Sequence, residues 1–326
     1  MKRCRVHATR SAGFTLLELV VGLVISAIVI GFAANLMTVP VEAYFAQTRR
    51  SDLLDSSDAV TRTLTRDVGM AVSNSVRIRT AGTRTIVEML VADVVTFYRP
   101  TSTLGPGGPW TAAQRELDLN VLDSQLSVFG RIDPQQTTNS YNFPNQLPAV
   151  ARYFLVVNNL GTGNNDAYRL TNVITPAPVT LNIVRDPGSY PMSGEEQLNF
   201  APAFRFRNVA PSTSPPANAT HRMFLVRGPV AYICNSATGT LRRYDNYAIT
   251  TNIPANENAA QLNVLGVRNT VLASNVASCR LDCQGAATAA PCLTALNVEL
   301  GLSRSGGSAG NETARLYLQL PVDNRP

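Results

Sequence analysis

Histidine and tryptophan are nearly absent: the chain has two and one of them among 326 residues. Scarce imidazole leaves few of the usual general bases and metal ligands, and no complete Gly-x-Ser-x-Gly, His-Glu-x-x-His or P-loop pattern occurs. His221 follows a loop rich in Pro, Ser and Ala and reads as a solvated polar residue. The run Gly301-Leu-Ser-Arg-Ser-Gly-Gly lacks the spacing and partners of a nucleophile turn and reads as a β-turn loop. These shortages argue against an enzyme, with no catalytic residue and no cofactor expected. Charge is sparse too, at 15% against 45% hydrophobic residues, a poor match to a disordered acidic or basic tail. The formal charge of +6 is concentrated at one end, because Lys2, Arg3, Arg5 and Arg10 lie in the first thirteen residues, which hold no acid. Without those four, 24 basic residues face 22 acidic ones, an ordinary surface that gives nucleic-acid binding no support.

What the chain does have is a long uncharged run: twenty-three residues from Leu19 to Val41 carry no charge. A helix rises about 1.5 Å per residue, so such a run spans an apolar layer about 30 Å thick. The basic cluster before it predicts an N-in orientation, with everything after Pro40 outside the cytoplasm. Two readings compete on that pattern, a cleaved secretory signal and an uncleaved signal anchor. Ala33-Ala34-Asn35 is a weak cleavage site for the first, and the apolar run is long for a signal peptide. Glu18 fits neither, because a carboxylate inside a membrane segment costs roughly 2.5–3.5 kcal/mol and calls for a partner. The plain alternative is that Glu18 snorkels at the membrane interface.

Gly13-Phe14-Thr15-Leu16-Leu17-Glu18, after a short basic leader and before an apolar helix, resembles the cleavage motif of type IV prepilins. The resemblance implies that a membrane prepilin peptidase/methyltransferase cuts between Gly13 and Phe14 and methylates Phe14. It also implies that the Glu18 carboxylate meets the Phe14 amine of a neighbouring subunit, a pairing that makes a buried charge tolerable. Gly13 suits a protease, since a residue without a side chain admits close approach to the backbone. Gly22, Ser26, Ala27 and Gly31 could permit close helix contact, though they are also ordinary membrane-helix residues. Many major pilins carry a proline within the apolar half, where this chain has Asn35.

Downstream, Val41, Tyr44, Phe45, Leu53, Val60, Leu64 and Val68 recur at helical spacing, which extends the helix as an amphipathic segment with a bend at Pro40. The expected divisions are a leader over 1–13, a membrane and assembly helix over 14–38, its amphipathic continuation over 39–75 and a β-rich domain over 76–326. Strands are expected in TIVEML, VVTFYR, RYFLVV, YRLTNVI, VTLNIV, MFLVRG, VAYICN, LTALNVELGL and ARLYLQL, separated by Gly, Pro and Asn. The fold class is therefore α+β and type IV pilin-like: a long N-terminal helix followed by a large antiparallel β-rich domain. The segments GPVAYICNSATGTLRRY, NVASCRLDC and the closing LYLQLPVDNRP resemble the C-terminal half of PilW-type minor pilins. That family implies a subunit in the inner membrane with its β domain in the periplasm, later built into an extracellular pilus with other major and minor pilins. Rival readings are a minor pseudopilin of a type II secretion system and a tip-displayed adhesin or DNA-uptake module.

Cys4 lies in the leader, leaving Cys234, Cys279, Cys283 and Cys292 in an extracytoplasmic domain where disulfides are expected. Four cysteines allow three connectivities. The favoured one joins two predicted strands through Cys234–Cys279 and closes a short loop through Cys283–Cys292. A zinc site at Cys279-x3-Cys283 is the rival, weakened by the lack of a nearby histidine. Asp166, in an Asn/Gly-rich stretch, offers hard oxygen for calcium but reads better as a turn residue. Trp110 is either an exposed binding aromatic or a core plug.

Overall fold

The computed structural model describes residues 13, 15–99, 117, 122–132, 140–143, 153–161, 165–174, 181–185, 195–206, 221–283, 291–306 and 310–324. One helix, α1 (Leu16–Gly69, 54 residues), continues through Pro40 and stops at Gly69, short of residue 75. Its end is tightened by the Ala71 N–H, which donates to the Val68 carbonyl at 3.1 Å, and Arg66 in the last turn complements the negative end of the helix dipole.

The chain divides into two compact units, Met1–Asp52 with Ser305–Glu312 and Leu53–Arg304 with Thr313–Pro326. Within the first, Arg50 Nε donates to Glu312 Oε2 at 2.8 Å. In the second, Leu53, Val60, Leu64 and Val68 of α1 are buried in a core with Val87, Tyr232 and Leu300. Val41, Tyr44 and Phe45, expected on the same stripe, are exposed instead. The apolar stripe of α1 enters a core only from Leu53 onward.

The β-rich domain that follows the helix is antiparallel throughout its described pairings. Its strands are β1 (Arg77–Ala81), β2 (Arg84–Tyr98), β3 (Asp123–Phe129), β4 (Ser140–Phe143), β5 (Phe154–Val157), β6 (Val173–Ile174), β7 (Leu181–Arg185), β8 (Glu195–Phe204), β9 (Arg222–Asn235), β10 (Thr240–Asp245), β11 (Arg268–Ser274), β12 (Val276–Cys283), β13 (Ala295–Ser305) and β14 (Asn311–Pro321). Among the described residues, eleven strands form one sheet with the path β11-β10-β9-β2-β3-β8-β7-β4. On this sheet β1 pairs with β2, and β5 links β6 to β9. A second sheet runs β12-β13-β14.

The long central strands absorb segments that the sequence divides. TIVEML and all but the last residue of VVTFYR belong to β2, and MFLVRG and VAYICN to β9. Gly228, the last residue of the expected MFLVRG strand, lies within β9 at φ +150, where a Cβ would come 2.5 Å from the Tyr247 carbonyl oxygen. Opposite it, the β2–β9 register shifts between Leu90 and Ala92, so the glycine marks a bulge in a continuous strand. YRLTNVI is not one strand. Asp166 caps a short 3-10 helix, Ala167–Arg169, Leu170 turns left-handed at φ 57, and only Val173–Ile174 pairs with β5. The expected turn at Gly301 is likewise strand, since β13 runs on to Ser305.

Two buried ionic groups tie the domain together. Arg77 and Glu88 are register partners in the β1–β2 hairpin, with Nε 2.6 Å from Oε2. The Tyr247 hydroxyl donates to Glu88 Oε1 at 2.7 Å, and the Arg77 guanidinium lies 3.4 Å from the Tyr168 ring centre. Burial pushes the Glu88 carboxyl up, while Arg77 and Tyr247 pull it down. The second group is centred on Asp67 of α1, which accepts from Arg243 Nε at 2.6 Å and from the Tyr232 hydroxyl at 2.7 Å. It fastens the last turn of the helix to β9 and β10.

Candidate functional site

The N-terminal turn of α1 starts from a cap that the sequence already spells. Thr15 precedes the helix, and its Oγ1 accepts the Glu18 backbone N–H at 3.3 Å. The Leu19 N–H donates to the Thr15 carbonyl at 3.1 Å, the first full helical bond. Thr15 and Glu18 thus occupy the N-cap and N3 positions of a Thr-x-x-Glu pattern, and the threonine satisfies one of the otherwise orphaned donors of the first turn. The Thr-x-x-Glu spacing is legible in the sequence itself. Acid at this position also complements the positive end of the helix dipole.

Gly13 lies before the helix, exposed, and Phe14 is outside the described residues. From Leu16 to Ala33 the helix has a mean hydropathy of 2.6, and none of it is buried in the chain. Leu16, Leu23, Ile30, Phe32 and Leu36 all present large apolar side chains outward, and nothing lies within 4 Å of a Cβ built at Gly22 or Gly31. An apolar surface of this extent is unfavourable in water and needs lipid or other protein around it. Among the described residues no side chain pairs with the Glu18 carboxylate.

The cysteines fall into two pairs in the β domain. Cys234 on β9 faces Cys279 on β12 with 6.4 Å between Cα atoms, and Cys283 lies 5.2 Å from Cys292 by the same measure. Both spacings lie in the disulfide range. Cys279 and Cys283 therefore meet different partners, and no group of metal-ligating side chains occurs among the described residues. Asp166 spends its carboxylate on the Tyr168 N–H at 2.9 Å and on Arg169 at 3.5 Å. His221 is half-buried, edge-on to Tyr98 at 5.5 Å between ring centres, and burial lowers its pKa. It is not the solvated loop residue the sequence suggested. Trp110 lies outside the described residues.

Asn324 of the closing Val-Asp-Asn-Arg-Pro segment has a defined role. Its side chain donates to the carbonyls of Cys292 and Leu293, each at 2.6 Å, and its Oδ1 accepts the Asn74 N–H at 3.0 Å. The C-terminus is thereby tied to the cysteine loop and to the turn that follows the helix.

From Leu16 to Ala33 the helix is long and apolar enough to cross a membrane. Residues 8–34 match the family model of the prokaryotic N-terminal methylation motif. The motif suggests a type IV pilin or pseudopilin: it implies processing by a prepilin peptidase and assembly with other pilins, and with the apolar helix it fits a pilin anchored in the inner membrane. No curated protein and no solved structure matches the chain.

Proposed function

We propose that the protein is a minor type IV pilin of the PilW kind, a structural subunit and not an enzyme. The observation that carries this reading is the methylation motif set on a capped apolar helix of which nothing from Leu16 to Ala33 is buried. In this reading the peptidase cuts between Gly13 and Phe14, and Phe14 becomes the methylated N-terminus. The helix holds the subunit in the inner membrane with its β domain in the periplasm, and Glu18 pairs with the amine of a neighbour as the subunit enters a pilus. Cys234–Cys279 and Cys283–Cys292 are oxidised there, as suits the periplasm. The PilW-like C-terminal segments support a pilus over a type II secretion system, which shares the same N-terminal chemistry.

Mass spectrometry of the native N-terminus tests the proposal. A mature chain beginning at methylated Phe14 is the expected result, and a chain beginning at Met1 or after Ala34 overturns it. A second measurement concerns the acid: Glu18→Ala should leave leader removal intact while the subunit disappears from sheared pili. Normal incorporation would remove the proposed role of the carboxylate.

A further inference from the structure

Beside the last turn of α1 lies an open cleft of about 540 Å³, lined by side chains of α1, β2, β9, β10 and β11. Its lining includes four arginines, Arg66, Arg227, Arg243 and Arg268, and three aspartates, Asp67, Asp93 and Asp245. Every aspartate is engaged. Asp67 takes Arg243, Tyr232 and Arg66, Asp93 takes Arg227 and Tyr153, and Asp245 takes Arg243 and Arg268. The arginines are not used up. Arg227 and Arg268 spend Nε on their aspartates, and their Nη groups make no hydrogen bond among the described residues. The Arg66 and Arg268 side chains remain 67% and 64% exposed. Burial works against the Arg243 charge, but Asp67 and Asp245 outweigh it and keep the guanidinium firmly protonated.

The arithmetic leaves one positive charge, and Met70, Val91 and Val230 add apolar side chains to the lining. Guanidinium forks match the two oxygens of a carboxylate, and the apolar lining suits an aliphatic stem. A phosphate dianion is disfavoured, because three aspartates and the negative end of the helix dipole share the cleft. We infer that the cleft binds a glutamate side chain presented by a neighbouring subunit. That the glutamate belongs to a subunit rests on the pilin reading; recognition of the carboxylate does not.

The test uses the full chain in detergent, with the arginine Nε–Hε signals followed by NMR. The probe is the blocked peptide Ala-Ala-Glu-Ala-Ala, run beside its glutamine counterpart and inorganic phosphate. Saturable shifts at Arg66 and Arg268 with the glutamate peptide are expected. The double variant Arg66→Gln/Arg268→Gln should bind at least about tenfold more weakly, the equivalent of one charge-assisted hydrogen bond. The variant keeps its fold in this account, because Asp67 and Asp245 both retain Arg243. Equal binding of the glutamine peptide, tighter binding of phosphate, or full binding by the double variant overturns the inference. In cells the same variant should lose incorporation with its leader removed normally. Weakened peptide binding with unchanged incorporation would overturn the assignment to a neighbouring subunit. An unprocessed N-terminus in the wild-type chain would count against the pilin reading and leave the peptide result standing.

Discussion

Glu18 and Asp67 stand in the first and last turns of the same helix, and their surroundings are opposite. Glu18 sits where the dipole favours an acid, exposed, with its backbone capped and its carboxylate meeting no side chain among the described residues. Asp67 sits where the dipole disfavours an acid, 1% exposed, and is held there by Arg243, Tyr232 and Arg66. The contrast extends along the helix. Leu53, Val60, Leu64 and Val68 are buried in a core within the chain, whereas Leu16, Leu23, Ile30, Phe32 and Leu36 are exposed. The first stretch is explained by folding alone. The second makes sense only with something outside the chain, lipid or another helix.

The largest break in this contrast comes from the cysteines. Cys234 and Cys279 are 45 residues apart, and closing a loop of that size restricts the unfolded chain by about 4 kcal/mol on the loop-entropy estimate. Replacing both with serine should lower stability by that order in denaturant unfolding of the full chain, with leader removal unchanged. A loss under about 1 kcal/mol would show that this bond adds little to the domain's self-sufficiency. Next comes Asp67→Ala, which leaves the Tyr232 hydroxyl and one side of Arg243 without a partner. A buried pair broken on one side costs about 3–5 kcal/mol; Arg243 keeps Asp245, so about 3 kcal/mol is expected. The same unfolding measurement checks it, and Asp67→Asn, which keeps an acceptor for Tyr232, should cost less.

Much of this was written in the sequence, and what was not has a physical reason. The apolar run from Leu19 and the stripe Leu53, Val60, Leu64 and Val68 were legible because a helix repeats locally. ARLYLQL was legible as β14 because its exposure alternates along the strand. Strands such as β3 (DSQLSVF) and β8 (EEQLNFAPAF) were not, since polar residues and a proline dilute the period that marks a strand. The ionic groups were invisible for another reason. Arg77 and Glu88 are 11 residues apart and meet only through the register of a hairpin, while Asp67 and Arg243 are 176 apart. No local spacing encodes such pairs. Glu18 stands out because its context is local, and Thr15-x-x-Glu18 packs a membrane charge and a helix cap into the same four residues.

The smallest expected effect tests that cap. Thr15→Ala removes the acceptor of the Glu18 N–H, and losing a threonine N-cap costs about 1 kcal/mol, felt only in the first turn. Amide exchange at Glu18 and its near neighbours should quicken roughly fivefold, while the unfolding midpoint of the β domain stays where it was. Thr15→Ser keeps the hydroxyl and should restore protection. This separates the two ends of the helix: a change at the Asp67 end is paid in global stability, whereas one at the Glu18 end is confined to a turn whose remaining needs are met elsewhere. If Thr15→Ala shifted the midpoint of the domain as Asp67→Ala does, the helix would be a single cooperative element, and the division drawn between its two acids would fall.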